Sequence, residues 1–257
     1  MPKIRRIGLV LALVLALTGL ARGEDNAQTW IEKMSARTEQ GYYKVRINAD
    51  MNINDQGMQS ILKMTGAANF ATAEMFHVSL DMSMEMGGST MGVKMLSVAD
   101  GETFWVEMDS PMMGGKQIVK GAVGDLARVA EMSGGVGMGG IGSNPVNEIK
   151  GIIERFDMKV LEKTDGRVIL HGDVTPEQAA GLSELGPFAA SMTYVRLEID
   201  EQEAMPARLI LGGAAPIVTM DFGDYEFFGA EEVQASDYAY TPPPGYPVND
   251  LTGMVVE

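Results

Sequence analysis

The stretch that decides the fold is Phe76-His-Val-Ser-Leu-Asp-Met-Ser-Met-Glu-Met86. Apolar residues occupy every second position from Phe76 to Met86, and polar or charged residues occupy the positions between them. Because successive side chains of a strand point to opposite faces of a sheet, this period of two predicts a strand with one buried and one solvated face. A strand of this kind is typical of an antiparallel sheet.

The segments on either side of this stretch repeat the same alternation. Residues 44–53 have a strand pattern, and a turn at 54–57 leads to another strand at 58–70. Gly87-Gly88 and Asp100-Gly101 are dipeptides that favour tight hairpin turns. The pattern therefore predicts a series of hairpins, with further strands at 91–98, 104–109, 116–121, 157–163, 167–174, 192–200, 205–212, 216–222 and 224–229.

Helical periodicity is restricted to a few segments. Apolar residues recur at spacings of three and four over 26–40, and shorter helical patterns occupy 122–132 and 146–156. Thr175 and Pro176 have the chemistry of a helix N-cap and of a first helical position. Many hairpins with few helices predict an α+β fold. We expect a large curved antiparallel sheet, an unclosed half-barrel, with the helices packed over its concave face.

The composition excludes several classes of function. The chain has 257 residues and no cysteine, so disulfides, zinc–thiolate sites, iron–sulfur clusters and cysteine nucleophiles are ruled out. Its two histidines leave little material for a histidine-based metal centre. The net charge of −15 makes nucleic acids and anionic membrane surfaces poor partners, because both are bound through clusters of Lys and Arg.

The N-terminal residues have the pattern of a secretory signal peptide. A basic start at 1–6 precedes an apolar run at 7–20, and Ala21-Arg-Gly23 supplies small residues at the cleavage positions. The apolar run is too short to span a bilayer comfortably. We therefore expect a signal peptide at 1–23, export to the periplasm, and a single mature domain at 24–257.

Several short motifs of the mature chain resemble those of the periplasmic lipoprotein-carrier (LolA-like) superfamily. They are Asp100-Gly-Glu-Thr-Phe-Trp105, Leu197-Glu-Ile-Asp200 followed by Pro206-Ala-Arg-Leu-Ile-Leu211, Phe222-Gly-Asp-Tyr225, and Tyr240-Thr-Pro-Pro-Pro-Gly245 with Val248. Around residues 58–75 the chain departs from the dedicated carriers, since it has no Trp or Pro there. The resemblance implies an unclosed barrel whose apolar concave face, under a helical lid, holds acyl chains or another hydrophobic ligand.

In such a fold, the alternating apolar residues of the central strands line the concave face. The glycine-rich segment 133–143 is expected to be a lid loop that offers Met138 to a ligand, and 238–257 an extended C-terminal tail. Methionine is flexible and polarizable, which suits a surface that fits variable apolar ligands. The expected ligand-binding residues are Phe76, Val78, Leu80, Met82, Met84, Met95, Phe104, Val106, Met108 and Met138.

Two other interpretations of the methionines remain open. The same residues can fill the solid core of a structural envelope protein. Alternatively, the sulfurs of Met82, Met84 and Met86 can bind Cu(I), because thioethers are soft ligands that select this ion. His77 has the opposite parity on the same strand, which counts against a mixed Met and His site.

Catalytic and nucleotide-binding motifs are not supported. Gly135-Val-Gly-Met-Gly-Gly140 matches G-x-G-x-x-G, but a dinucleotide site needs a strand before this motif and a helix directly after it. The chain has no G-x-S-x-G motif. We therefore expect a non-enzymatic carrier or sensor without a cofactor. Its expected partner is a hydrophobic ligand such as a lipid or a lipidated protein, with an envelope protein as a further candidate and no nucleic acid.

Overall fold

The computed structural model describes residues 26–39, 42–55, 58–72, 74–126, 145–180 and 189–252. The predicted signal peptide at 1–23, most of the predicted helix at 122–132, and the segment 133–143 with Met138 lie outside the described residues. What was expected of these segments, and the division of the chain into domains, therefore remain predictions.

Twelve strands of the described chain form one sheet in the order β12-β6-β5-β4-β3-β2-β1-β11-β10-β9-β8-β7. They are β1 (Tyr42–Asp55), β2 (Met58–Phe70), β3 (Met75–Met86), β4 (Ser89–Asp100), β5 (Thr103–Ser110), β6 (Gly115–Ala122), β7 (Lys159–Thr164), β8 (Arg167–Asp173), β9 (Tyr194–Asp200), β10 (Met205–Gly212), β11 (Pro216–Phe228) and β12 (Val248–Asp250). All neighbours are antiparallel except β12 and β6, which are parallel. This confirms the prediction of a large, open, mainly antiparallel sheet.

Helices accompany the sheet where the periodicity predicted them. Asn26 Oδ1 accepts a hydrogen bond from the Thr29 backbone N–H at 2.9 Å and so caps the first helix. Thr175 caps the third: its Oγ1 accepts from the Gln178 N–H at 3.2 Å, and its own N–H donates to Gln178 Oε1 at 2.9 Å. The helices of the described residues are α1 (Ala27–Glu39), α2 (Pro145–Arg155) and α3 (Pro176–Ala180).

The prediction of two strands at 216–222 and 224–229 is wrong, because these residues form the single strand β11. The strand contains a bulge where it pairs with the start of β1. Asp224, within the bulged stretch, has a positive φ of 52°. A bulge shifts the alternation of side chains by one residue. Tyr225 consequently packs against Tyr43 in the core, with ring centroids 6.4 Å apart.

The segment after β11 crosses the sheet to its far edge. It forms short 3-10 helices at 230–232 and 235–238 and ends in β12, which pairs in parallel with β6. We call residues 229–252 the C-terminal strap. The predicted extended tail at 238–257 lies in this segment as far as residue 252, and its last residues lie outside the described chain.

The sheet buries one face, which we call the core face; the opposite one is the outer face. Tyr43, Phe70, Phe76 and Phe104 are each at most 3% exposed. The register places Tyr43 opposite Phe70 and Phe70 opposite Phe76, so these rings share the core face. Helices α1 and α2 contact each other. The core cluster to which both contribute includes Trp30, Ile31, Met34, Val146, Ile149 and Ile153.

We predict that Gly66→Val destabilises the fold by about 1–3 kcal/mol, measured by urea denaturation. Gly66 of β2 lies opposite Leu80 of β3. A Cβ atom at position 66 would collide with the Ser79 backbone oxygen and lie 2.6 Å from Leu80 Cδ2.

Gly92→Ala is the matched control, because the nearest atom to a Cβ there would be the Met82 backbone oxygen at 4.0 Å. Its free energy of unfolding should stay within about 0.5 kcal/mol of the wild-type value. Equal effects of the two substitutions would contradict the close packing around Gly66.

Candidate functional site

The predicted ligand-binding residues form two groups along the core face. Phe76, Val78, Leu80, Phe104 and Val106 are buried, none more than 8% exposed. They belong to the same core cluster as the buried residues of α1 and α2. Their side chains therefore pack within the protein, and a role in ligand contact stays a prediction.

The second group consists of methionines that are only partly buried. Met82, Met95 and Met108 pack against the margin of the core cluster. Met84 is also partly buried, but it is not among the residues that pack against this cluster. This group therefore offers apolar surface that the described part of the protein does not fully cover.

The strand register brings these methionines together and adds Met91. Met84 lies opposite Met91 in the β3–β4 hairpin, and Met95 lies opposite Met108 in the β4–β5 pair. Directly opposed residues have Cβ atoms about 4.5–5.5 Å apart and share one face. Met82 lies between these two pairs along β3. We call Met82, Met84, Met91, Met95 and Met108 the methionine patch.

Exposure of the core face rises along β3 from Phe76 to Met84, eight residues or about 26 Å farther on. The Phe76 end is continuous with the aromatic rings of Tyr43 and Phe70. Helix α1 reaches this end, since the Arg37 guanidinium lies 3.8 Å from the ring centre of Phe227, which in turn contacts Tyr43. The aromatic end is thus closed by the protein itself, whereas the methionine end is partly accessible.

Ser97 is a polar residue within the core face. It is fully buried between Val78 and Val106 of the neighbouring strands. Its Oγ has no hydrogen-bond partner, and an unpaired buried hydroxyl costs about 1–3 kcal/mol. Ser97 is therefore a core-face group that can bond a polar atom of a ligand reaching past the methionine patch.

The two histidines lie away from this patch. His77 is on the outer face, where its Nδ1 lies 3.1 Å from the Asp237 backbone oxygen of the C-terminal strap. His171 stacks on Tyr194 and has its Nε2 3.4 Å from Asp173 Oδ1. Among the described residues, no group of three His, Cys, Asp or Glu side chains is placed to hold a metal ion.

A polar cluster on the outer face holds the C-terminal strap to β5 and β6. Glu107 of β5 accepts hydrogen bonds from the Lys116 ammonium and from the Tyr240 hydroxyl of the strap. The Tyr240 ring also contacts Trp105, with centroids 5.4 Å apart. Strand β12 adds an ion pair, Lys120 Nζ to Asp250 Oδ2 at 3.7 Å. The strap therefore braces the back of the strands that carry Phe104 and Met108.

This cluster shifts the pKa values of its members. Burial raises the pKa of Glu107, but hydrogen bonds from Lys116 and Tyr240 and the charge of Lys116 outweigh it, so the net pKa lies below the ordinary 4.5. The hydrogen bond to Glu107 raises the pKa of Lys116. Burial, together with the neighbouring Glu107 carboxylate, raises the pKa of Tyr240 far enough to keep its hydroxyl protonated. The ionised Glu107 and the protonated Tyr240 therefore favour each other.

Reasoning from the sequence missed two of these features. Met91 was not among the predicted site residues, although the two-residue turn Gly87-Gly88 places it opposite Met84. The contact between Glu107 and Tyr240 joins residues 133 positions apart. No local pattern signals such a contact, since it depends on where the strap crosses the sheet.

No helix in the described part of the chain is long and apolar enough to cross a membrane. This finding covers residues 26–252 with the gaps given above.

No protein family and no curated protein matches the sequence. An uncharacterized conserved protein from Thermus thermophilus has a similar fold with a TM-score of 0.46 and 9% identity, covering 87% of this chain and 98% of that chain. LprF from Mycobacterium bovis has a TM-score of 0.46 and 11% identity, covering 77% and 92%. MucB, in complex with MucA(peri), has a TM-score of 0.33 and 12% identity, covering 84% and 60%. The resemblance to the LolA-like superfamily remains a prediction from the motifs.

We predict that Glu107→Gln lowers the free energy of unfolding at neutral pH, and that its difference from wild type shrinks in acid. A carboxyl group with a lowered folded pKa stabilises the protein fully above its ordinary pKa of 4.5. This contribution is lost as the pH falls through the lower folded pKa. Urea denaturation at about pH 7 and about pH 3 measures both differences.

Asp109→Asn is the control, because Asp109 is an exposed acid on the same face of β5. It should show a smaller pH-dependent effect than Glu107→Gln. A Glu107→Gln difference that stays constant between neutral pH and acid would contradict the strap cluster as its source.

Proposed function

We propose that this protein is a non-enzymatic carrier or sensor that binds an apolar ligand at the methionine patch. The ligand class is an acyl chain, either of a lipid or of a lipid-modified protein. The observation that supports this most directly is the patch itself. Five flexible apolar side chains share one face of three neighbouring strands, at the end of the core face that stays partly accessible.

The chemistry of the patch fits a chain-like ligand of variable length. Thioether side chains are unbranched and adapt their shape to different apolar surfaces. The signal-peptide pattern at 1–23 supports a place of action outside the cytoplasm, where an acidic, cysteine-free chain carries lipid between membranes or reports its presence. The absence of recognisable catalytic motifs in the sequence supports binding rather than turnover.

Removal of apolar surface from water would drive binding. Each methylene that the patch covers contributes about 0.8 kcal/mol before the entropy cost of association. Affinity should then depend on chain length far more than on the head group. Two additional methylenes should tighten binding by up to about tenfold, until the patch is filled.

The first test measures binding of decanoate, dodecanoate and tetradecanoate by isothermal titration calorimetry. We expect affinity to rise with chain length in the wild-type protein. Met84→Glu places a charge on the patch and should weaken binding by about tenfold or more. Met84 suits this test because it is not among the residues packed against the core cluster, so the substitution leaves the core intact.

Ser83→Glu is the matched control, since it adds the same charge one residue away on the outer face. It should bind fatty acids as the wild type does. Native mass spectrometry and solvent extraction of protein exported from a bacterial host provide an independent measurement. No bound lipid in that protein, together with no binding in calorimetry, would remove the proposal.

A second candidate function is Cu(I) binding by the same sulfurs. The register favours it to the extent that Met84 faces Met91 and Met95 faces Met108 across neighbouring strands. Soft thioether ligands on one face select Cu(I) over harder divalent ions. Met84 and Met91 are the pair that the structure adds to the sequence hypothesis based on Met82, Met84 and Met86.

Anaerobic Cu(I) titration separates the two candidates. The double variant Met84→Leu with Met91→Leu removes two sulfurs and keeps the patch apolar. For a copper protein we expect this variant to lose Cu(I) affinity, and for a lipid carrier we expect it to retain fatty-acid binding. Cu(I) affinity that is unchanged in the double variant would end the copper hypothesis.

A further inference from the structure

The β3–β4 hairpin extends beyond the strand that should cover its side. β4 pairs with β3 along its whole length, from Ser89 to Asp100. β5 pairs with β4 only from Lys94 onward, where Lys94 lies opposite Asp109. Just after β5, Pro111 begins a 3-10 helix and has no N–H with which to continue the ladder. We call residues 89–93 the free edge of β4.

The backbone of this free edge is unpaired on the β5 side. None of the described residues pairs with residues 89–93 there. Alternate residues of an antiparallel strand direct their N–H and C=O groups away from the paired neighbour. An edge of this kind is a template on which another extended segment can add as a strand.

Unlike the edge of the sheet at β7, this edge carries no protective residues. β7 presents Lys159, Glu162 and Lys163, and a bulge interrupts its pairing with β8 next to Val160. Charges and bulges of this kind block edge-to-edge pairing. The free edge of β4 has the sequence Ser-Thr-Met-Gly-Val, with neither a charge nor a proline.

Space for an added strand is present beside the free edge. A cavity of about 440 Å³ lies there, lined by Asp81, Met82, Gly92, Val93, Lys94, Asp109 and Pro111. Gly92 contributes no side chain, and no atom lies closer than 4.0 Å to where its Cβ would be. The cavity therefore gives an incoming backbone access to β4.

The two sides of the cavity differ in chemistry. On the core face, Met91 and Val93 are half-buried and apolar. On the outer face, Asp81 and Asp109 flank Lys94, whose Nζ lies 3.7 Å from Asp81 Oδ1. Acidic groups outnumber the basic one, and the chain as a whole has a net charge of −15. The complementary segment has apolar side chains toward one face and basic side chains toward the other.

We propose that the free edge of β4 is a strand-addition site for an extended peptide segment with alternating apolar and basic residues, supplied by a partner protein. The segment would extend the line of β5 and pair with residues 89–93. Backbone hydrogen bonds supply affinity, and the alternation of side chains supplies selectivity. This inference is independent of lipid binding, because it rests on backbone pairing and charge rather than on the methionine patch.

The test uses a fluorescent seven-residue peptide, Lys-Val-Lys-Val-Lys-Val-Lys, with blocked ends, titrated into the mature protein. We expect saturable binding and slower amide hydrogen exchange confined to residues 89–93. A peptide with N-methylated valines keeps charge and apolar surface but loses backbone donors. It should bind about tenfold more weakly or worse, as expected for the loss of two or more hydrogen bonds.

Gly92→Lys fills the cavity and should weaken peptide binding by about tenfold, while the open space around Gly92 lets the protein fold. Thr65→Lys is the matched control, because it adds the same charge to the outer face of β2, two strands away. It should keep affinity within about twofold of wild type. Circular dichroism and thermal unfolding verify that both variants fold.

Three results would overturn the proposal. The first is no binding of the alternating peptide to the wild-type protein, and the second is equal binding of the N-methylated peptide. The third is a concentration-dependent dimer in sedimentation analysis that Gly92→Lys abolishes, because a second copy would then be the occupant of the free edge. A failure of fatty-acid binding changes none of these outcomes, so the two proposals fail separately.

Discussion

The pairing register of the antiparallel strands is the constraint on which the other features of this protein depend. Because side chains alternate between faces, a slip of one residue would move the whole apolar set of β3 from the core face to the outer face. The tight turn at Gly87 and Gly88, with φ of 60° and 80°, closes the β3–β4 hairpin without a shift. The burial of Phe76 and the meeting of Met84 with Met91 both follow from this one alignment.

Unequal strand lengths then create the two surfaces that carry the functional proposals. β3 and β4 have 12 residues each, whereas β5 and β6 have eight. The hairpin therefore projects past its neighbour, and its outer part lacks both a strand beside it and full cover from the described helices. The partly exposed methionine patch and the free edge of β4 are two consequences of the same projection. A lipid would use the side chains of this region, and a peptide strand would use its backbone.

The distribution of charge separates the two faces. The core face is apolar apart from Ser97, while the outer face carries acids and their ion pairs, such as Arg46 with Asp224 at 2.7 Å and Arg208 with Asp221 at 2.5 Å. The C-terminal strap adds the buried cluster around Glu107, which fixes the outer face of β5. Because the strap braces the outer side of this sheet region, the core face can remain partly open without loss of strand alignment.

The sequence by itself determined the strands, the helices and the face to which each central side chain belongs. These features depend on local periodicity and on turn residues such as Gly87, Gly88 and Gly101, which act over a few positions. Even the opposition of Met84 and Met91 was within reach, since a two-residue turn sets the register of its hairpin. The single bulged strand β11 was missed, because a bulge at Asp224 and a turn have the same local composition.

The tertiary structure alone decided how the strands of separate hairpins are ordered and what each end of the core face contacts. It showed that Phe76 and Phe104 are buried in the core, that Met84 is not, and that Tyr240 reaches Glu107 from 133 residues away. It also showed that β5 stops short of the β4 hairpin tip. These features arise from contacts between residues far apart in sequence, and alternation along one strand carries no information about which distant segment will cover it.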